Sequence, residues 1–250
     1  MKIKKFIINI ILGLVPSKAM RKNLRNKWLY NANSNKIILD ENVNKLNNNI
    51  IVISPNNQKS YNEQIKGLDI NFNGKNSSVI IHEPINMNNC NIRIGQNSCV
   101  EICSSPYKIN NLSITATNNS KVFIDEKFSC RGCKIENHDE ANLEVKIGKD
   151  CMFSYGIHFR VSDGHSLLDT NNKEIINKPK TGISIGEHVW IGMKSTILKD
   201  VKIADNVVIG ACSLVNKCVA ENFVAVAGAP AKIIKRNVNW DRRNTDKYTS

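Results

Sequence analysis

The apolar positions of the chain recur at a period that neither an α-helix nor a half-buried strand produces. Aliphatic residues return every six positions: Ile185, Ile191, Ile197, Ile203, Ile209 and Val215. Four residues after each stands a small or β-branched one: Val189, Ser195, Val201, Val207, Ser213 and Val219. A helix repeats at 3.6 and a strand at 2, so a strict six-residue period predicts a solenoid. Each hexad reads as a short strand and a corner, and three hexads make a triangular coil of about 18 residues. The aliphatic and the small residue both point inward and stack on their counterparts one coil away, so each coil buries its faces only against its neighbours.

The same frame is read upstream through Ile135, Ala141, Ile147, Phe153 and Phe159. It puts Cys133 and Cys151, 18 apart, at the inward small position. Farther back the pattern weakens but persists in VIIHEPINMNNCNIRIGQNSCVEI and LSITATNNSKVFIDEKF, and the first coils are placed near residue 67. Residues 37–66 are Asn-rich with short apolar runs and receive no assignment. Asn makes up about one residue in seven of the chain, an excess that carries no functional information by itself. Between Gly164 and Ile183 there is no hexad. HSLLDTNNKEIINKPKTG reads as a loop, residues 165–182, expelled from the prism. Such insertions in compact domains are usually functional or disordered, and this one begins at a histidine.

The N-terminus is a different object. Lys2, Lys4 and Lys5 precede FIINIILGLV, then Pro16, then SKAMRKNLRNKWLY. The apolar run is shorter than the roughly 18 residues of a membrane span. A secretory signal has the same basic start, but here the cleavage region is poor and a second basic cluster follows at once. Bases on both sides of an apolar segment, with Trp28 and Tyr30 nearby, fit a short helical segment within residues 1–36 that lies on an anionic membrane face. A helix packed on the domain or on a partner is the alternative.

The net charge of +13 first suggests nucleic acid. Its distribution argues otherwise. Residues 1–36 carry nine Lys/Arg and no acid, and residues 232–250 carry six against Asp241 and Asp246. The stretch between them is neutral, whereas a nucleic-acid binder shows a basic stripe across its domain. No nucleic-acid partner is expected, and residues 237–250 read as a basic C-terminal tail. The eight cysteines make no disulfide scaffold. Cys130 and Cys133 form a lone Cys-x-x-Cys without the second pair of a structural zinc. Free, buried thiols are the blander reading, and no metal is expected.

Three motifs occur in combination: Asp163-Gly164-His165, Val189-Trp190-Ile191-Gly192 and Gly228-Ala229-Pro230-Ala231-Lys232. With them the chain closely resembles the hexapeptide-repeat acyltransferases, in the branch of bacterial O-acetyltransferases that modify galactosides, maltose, and capsular and other cell-surface polysaccharides. The resemblance covers roughly residues 67–236 and is strong from Cys151 onward. It implies an all-β, left-handed parallel β-helix over residues 67–236. It also implies a homotrimer with active sites between subunits, the loop 165–182 reaching a neighbour. The implied activity is acetyl-CoA-dependent transfer to a saccharide acceptor, in the cytoplasm. A peripheral contact with the inner membrane face through residues 1–30 is compatible with that place.

Five histidines compete for the chemistry. His138, His158 and His188 sit in the hexad frame and His82 in the weak early coils, where any polar residue serves. His165 stands where the frame breaks, and it matches the family's catalytic histidine. An imidazole of ordinary pKa near 6.5 is mostly free base at neutral pH and takes the proton of an attacking hydroxyl. Such general-base help is worth about 10²–10⁴-fold. Asp163 is the candidate to orient it, with a backbone carbonyl as the alternative. The resemblance implies direct transfer without an acyl-enzyme, and the amide of Met193 is the candidate donor to the oxyanion.

Gly192, Gly210 and Gly228 are 18 apart and are predicted to stack, leaving a groove for the pantetheine arm of coenzyme A. Plain corner glycines are the alternative. The resemblance adds Met193, Ala211, Asn216, Lys217 and Lys235 as coenzyme A contacts, with Asn216 departing from the commoner Thr. Lys217, Lys232, Lys235 and Arg236 supply charge for its phosphates. Trp190 is expected to stack on the thioester arm or the acceptor sugar, or else to pack between subunits. The rival functions are an N-acetyltransferase on a nucleotide-linked sugar, a zinc hydratase, for which three convergent histidines are missing, and a non-enzymatic scaffold.

Overall fold

A computed structural model describes residues 46–247 apart from Asp139. The basic N-terminal segment and residues 37–45 of the lead-in lie outside the described residues.

The described chain winds as a three-sided parallel β-solenoid whose walls are sheets of eight, eight and seven strands. One turn lays down Lys121–Ile124 in the first sheet, Ser129–Cys130 in the second and Cys133–Asn137 in the third. Later turns repeat that order as far as Leu214–Val215, after which Val224–Gly228 and Ala231–Arg236 both join the second sheet. The two inward positions of the hexad frame behave as the period requires. Residues from Ile185 to Val219 at those positions are all buried, the most exposed being Val219 at 9%. Burying an aliphatic side chain stabilises by roughly 1.5–3 kcal/mol, so these ladders hold the prism together. Within it Phe128, Phe153 and Phe159 pack ring to ring, with centroids 5.0 and 5.6 Å apart.

The sheets begin earlier, and most coils are larger, than the frame predicts. Asn49–Ile53 pairs in parallel with Ser78–His82, so the prism starts inside the segment left unassigned, not near residue 67. Coils of 18 residues occur only after the loop, where Ser184 pairs with Lys202 and Ile197 with Val215. Upstream, Ile92 pairs with Ile114, 22 residues on, and Ile135 with Phe159, 24 residues on. Ala141 therefore falls in an exposed corner, and Leu143 and Val145 fill the interior instead. Cys133 and Cys151 are both buried but do not stack. Cys133 faces Ile157 in the third sheet, while Cys151 precedes Met152–Phe153 of the second.

Asparagine turns the enlarged corners. Asn47, Asn76, Asn97 and Asn119 have φ between 54 and 56°, the left-handed region that Asn tolerates better than other side chains. Their amides form a ladder along the prism: Asn47 donates to Asn76 (3.3 Å), Asn76 to Asn97 (3.2 Å) and Asn97 to Asn119 (3.1 Å). Behind them runs a buried serine ladder, in which the Ser98 amide donates to Ser77 Oγ (3.2 Å) and the Ser120 amide to Ser98 Oγ (3.0 Å). The asparagine excess thus has a structural use at one corner of the prism.

Candidate active site

The loop leaves the prism after Ile157–Arg160 of the third sheet and returns at Gly182–Ile185 of the first. It is a small hairpin. Leu168 bridges Ile175, and the Ile176 amide donates to the Leu167 carbonyl (2.9 Å). Asp169 accepts from the Asn171 amide (2.7 Å) at its tip. Leu167, Leu168, Ile175 and Ile176 are all more than half exposed, an apolar surface that no other described residue covers.

Both ends of the hairpin are pinned by the coil above. At its start, Asp163 Oδ2 accepts from Lys199 Nζ and from Asn177 Nδ2 (2.8 Å). Asn177 Nδ2 also donates to the His165 carbonyl (2.8 Å), and Asn177 Oδ1 accepts from the Leu167 amide (2.8 Å). The hydrogen bond from Lys199 holds the Asp163 carboxyl below its ordinary range. At the other end, Asp200 Oδ1 accepts from the amides of Lys180 and Thr181, each at 2.8 Å. Partial burial raises the Asp200 carboxyl pKa, but these amide bonds outweigh it and leave it lowered. Gly182 has φ 99°, and a Cβ there would run into the Glu144 carbonyl, so only glycine closes the loop.

His165 is exposed, and its ring bonds to no described residue. Asp163 therefore does not orient the imidazole, as the sequence had suggested. It is engaged with Lys199 and Asn177, and Asn177 in turn binds the His165 carbonyl and the Leu167 amide. Asn177 was missed because a lone Asn in an Asn-rich loop carries no sequence signal.

Trp190 lies in the second sheet, 38% exposed. It is backed by the C-terminal segment, which is no simple tail. Trp240 is 8% exposed and stacks on His188, ring centroids 4.3 Å apart and 11° from parallel. Its Nε1 donates to the His188 carbonyl (2.8 Å), and its ring lies 6.2 Å from that of Trp190. His188 Nδ1 is 2.7 Å from Asp150 Oδ2. Arg242 donates to Asp150 Oδ1 (3.0 Å), Ser129 Oγ (2.7 Å) and the carbonyls of Lys127 (2.9 Å) and Cys151 (3.1 Å). Its guanidinium also covers the Tyr107 ring at 4.0 Å. The segment spans several coils as a strap. The hexad period ends before it, so no pattern announced it.

The glycine column is shorter than predicted. Gly192 stacks on Gly210, since Ile191 pairs with Ile209. The next coil loses one residue: Ile209 pairs with Val226. Gly210 therefore faces Ala227, and Gly228 lies outside the column at φ 104°. A Cβ on Gly192 would lie 2.6 Å from the Ala211 amide nitrogen, and one on Gly210 2.8 Å from Ala227 Cβ. Close approach of successive coils accounts for these two glycines, and Gly228 is required by its backbone angle. The reading of a groove cut by missing side chains is withdrawn.

Four of the remaining candidates divide between two edges of the third sheet. Met193 and Ala211 are exposed at the corner where the chain passes from the second sheet to the third. The Met193 carbonyl accepts from the Cys212 amide (2.8 Å), while its own N–H donates to no described residue. Asn216 and Lys217 lie at the opposite corner, one rung above Leu198 and Lys199, on the His165 side. The strands between span about five or six residues, roughly 15–20 Å at ~3.3 Å per residue. One chain does not bring His165 and Met193 together. Lys232 and Lys235 lie exposed on Ala231–Arg236, the antiparallel strand that ends the second sheet. Cys130 and Cys133 are buried, and burial pushes the Cys130 thiol up to about 12. No convergent set of three ligating side chains among the described residues includes either.

This geometry can be set beside known proteins. Residues 182–217 match the family of bacterial transferase hexapeptide repeats (six repeats). The chain is 34% identical over 170 residues to the polysialic acid O-acetyltransferase of Neisseria meningitidis, a stretch that covers 68% of this chain and 78% of the relative. It is 38% identical over 134 residues to that of Escherichia coli O1:K1 / APEC, covering 54% of this chain but only 42% of the relative. The crystal structure of the polysialic-acid-specific acetyltransferase NeuO superposes with TM-score 0.69 at 32% identity, over 81% of this chain and 88% of NeuO. That of the polysialic acid O-acetyltransferase OatWY does so with TM-score 0.69 at 30% identity, over 81% and 91%. A six-residue ladder, a histidine at the neck of an expelled hairpin and these likenesses together make the chain a member of the left-handed β-helix, hexapeptide-repeat acetyltransferase family.

Proposed function

We propose that the chain transfers an acetyl group from acetyl-CoA to a hydroxyl of an acidic capsular polysaccharide or its precursor, with His165 as general base. The observation that carries this reading is the placement of His165, exposed and with an unengaged ring, on a backbone clamped by Asn177, Asp163 and Lys199. Such a group holds its position without being tied to a partner, as a base that must meet an incoming hydroxyl requires.

The reaction follows from the residues. The acceptor hydroxyl loses its proton to the His165 imidazole as its oxygen attacks the thioester carbonyl. The charge that develops on the carbonyl oxygen is met by the free N–H of Met193. Collapse expels the thiolate, which takes the proton back from the imidazolium. Because His165 and Met193 stand at opposite edges of one face, the donor edge of one copy meets the base edge of another. A homotrimer with three clefts is the assembly that does this symmetrically. The uncovered apolar hairpin suits the surface of a neighbouring copy. In that cleft Ala211, Trp190, Lys232 and Lys235 line the donor from one side, with Asn216 and Lys217 from the other. Their lysines answer the phosphates of coenzyme A. An acidic acceptor is the class to which the relatives' polysialic acid belongs. Among the described residues no helix is long and apolar enough to cross a membrane. The reading puts the enzyme in the cytoplasm, where acetyl-CoA is made, with residues 1–30 against the inner membrane face.

The test is release of free thiol from acetyl-CoA on incubation with acidic capsular polysaccharides, with mass analysis of the product. His165→Ala is expected to lower turnover about 10²–10⁴-fold while acetyl-CoA binding and oligomeric state stay unchanged. Turnover within tenfold of the unsubstituted protein refutes the base. A product without one added acetyl group per modified residue refutes the reaction.

A further inference from the structure

Away from both edges of the third sheet, the corner between the first and second sheets carries a cluster that acyl transfer does not use. Ile81 pairs with Ile102, and Ile102 with Ile124. The residues that follow them, His82, Cys103 and Asp125, therefore occupy successive rungs of one column. Glu101 precedes Cys103 by two residues and so shares its side of the strand. His82 Nε2 lies 2.8 Å from Glu101 Oε1. One ligating atom from each of His82, Glu101 and Cys103 falls within 4.8 Å of the other two, and all three residues are half-buried. An imidazole–carboxylate pair accounts for two of these groups but not for a thiol at the same point. Cys90, Cys130 and Cys151 donate their thiols to carbonyls of the prism. Cys103 Sγ has no hydrogen-bond partner among the described residues. The backbone beneath is fixed by the coil, with the Cys103 amide donating to the Ile124 carbonyl (2.8 Å) and the Glu83 amide to that of Ile53 (2.8 Å).

We propose that His82, Glu101 and Cys103 form a binding site for a zinc-type divalent ion, with its fourth position open to water. One imidazole, one carboxylate and one thiolate are the donors that favour zinc over calcium or magnesium. With metal–nitrogen and metal–oxygen bonds near 2.0–2.1 Å and a metal–sulfur bond near 2.3 Å, a tetrahedral ion needs its ligand atoms roughly 3.3–3.6 Å apart. The ligand atoms lie within 4.8 Å of one another, with His82 and Glu101 at 2.8 Å, so the three side chains readjust to take up this geometry. As the metal–sulfur bond forms, the thiol proton passes to solvent. Asp125 on the next rung adds negative charge on the same column. An ion here ties Ser78–His82 to Cys99–Ile102, in the early coils where the hexad pattern is weakest. The site is separate from the acyl-transfer residues, and its test does not depend on them.

The full chain, freed of metal with a chelator, is titrated with cobalt(II) as a spectroscopic substitute for zinc. The expected result is one equivalent bound, with thiolate-to-cobalt charge-transfer absorption that zinc abolishes, and a melting temperature raised by zinc. Cys103→Ser is expected to remove the absorption and the zinc-dependent shift. His82→Gln and Glu101→Gln are expected to weaken binding by more than the roughly tenfold lost when an outer-shell partner is removed. Cys212→Ser and Cys218→Ser, at exposed thiols elsewhere, leave it unchanged. Absence of the charge-transfer band in the unsubstituted chain overturns the proposal, as does its survival in Cys103→Ser. Should Cys103→Ser fail to fold, cobalt affinity in His82→Gln within twofold of the unsubstituted chain overturns it equally.

Discussion

Asn177 holds the neck of the hairpin through three hydrogen bonds, two donated by its amide nitrogen and one accepted by its oxygen. At about 1 kcal/mol each, their loss in Asn177→Ala frees the backbone of His165 without touching the prism. Turnover is expected to fall roughly 10–100-fold, the scale of misplacing a catalytic group by an ångström, while the melting temperature falls by only several degrees. Unchanged turnover makes Asn177 a surface residue. Asp163 sets the acid limit of the same clamp. Its carboxyl is held below the ordinary 3.8. A lowered carboxyl pKa contributes stability above the ordinary value, and the contribution is lost as pH falls through the lowered one. Being partly exposed, the pair with Lys199 contributes about 1 kcal/mol or less. Proteolytic nicking of the hairpin is therefore expected to be flat from pH 7 to 5 and to rise only below about 4. A rise already between pH 7 and 5 speaks against this clamp.

Among the elements, the C-terminal strap changes most from its sequence reading. Lysines and arginines near a chain end suggest a solvated tail, yet Trp240 and Arg242 bind the outside of the coils that carry Trp190. Trp240→Ala removes a nearly buried indole and its stacking on His188, at a cost of roughly 2–4 kcal/mol. The expected signs are a lower melting temperature and a red-shifted emission from Trp190, now more open to water. Emission and stability both unchanged would mean that the strap does not rest on the prism in solution. The coils teach a related lesson. A period of six was legible where corners are minimal, after residue 183. It was misread at Ala141 because an enlarged corner shifts the frame without changing which residues are apolar.

At the scale of the molecule, the basic N-terminal segment lies outside the described prism, whose core runs from Ile50 onward. That segment carries eight Lys/Arg within residues 1–30. Each contributes about 1 kcal/mol near an anionic surface, within a screening length of about 8–10 Å. A chain beginning at residue 37 is expected to stay folded and to acetylate soluble acceptors, but to leave the pellet when sedimented with anionic vesicles. The full chain is expected to leave it only at high salt. Equal partitioning of the two means that the segment docks on protein rather than lipid.

Two inward positions per hexad, read from sequence alone, determined the solenoid, because stacking identical coils converts a linear period directly into ladders of contact. The break in that period also exposed His165, since a residue leaving a repeat is visible against it. Other features depended on tertiary structure. Coil lengths of 22 and 24 residues, the loss of Gly228 from its column and the engagement of Asp163 with Lys199 all turn on register, which a corner residue more or less resets. Asn177, Trp240 and the His82–Glu101–Cys103 cluster join residues through space that share no periodic relation in the chain. Their partners are chosen by which rungs happen to stack, and only the folded coil decides that.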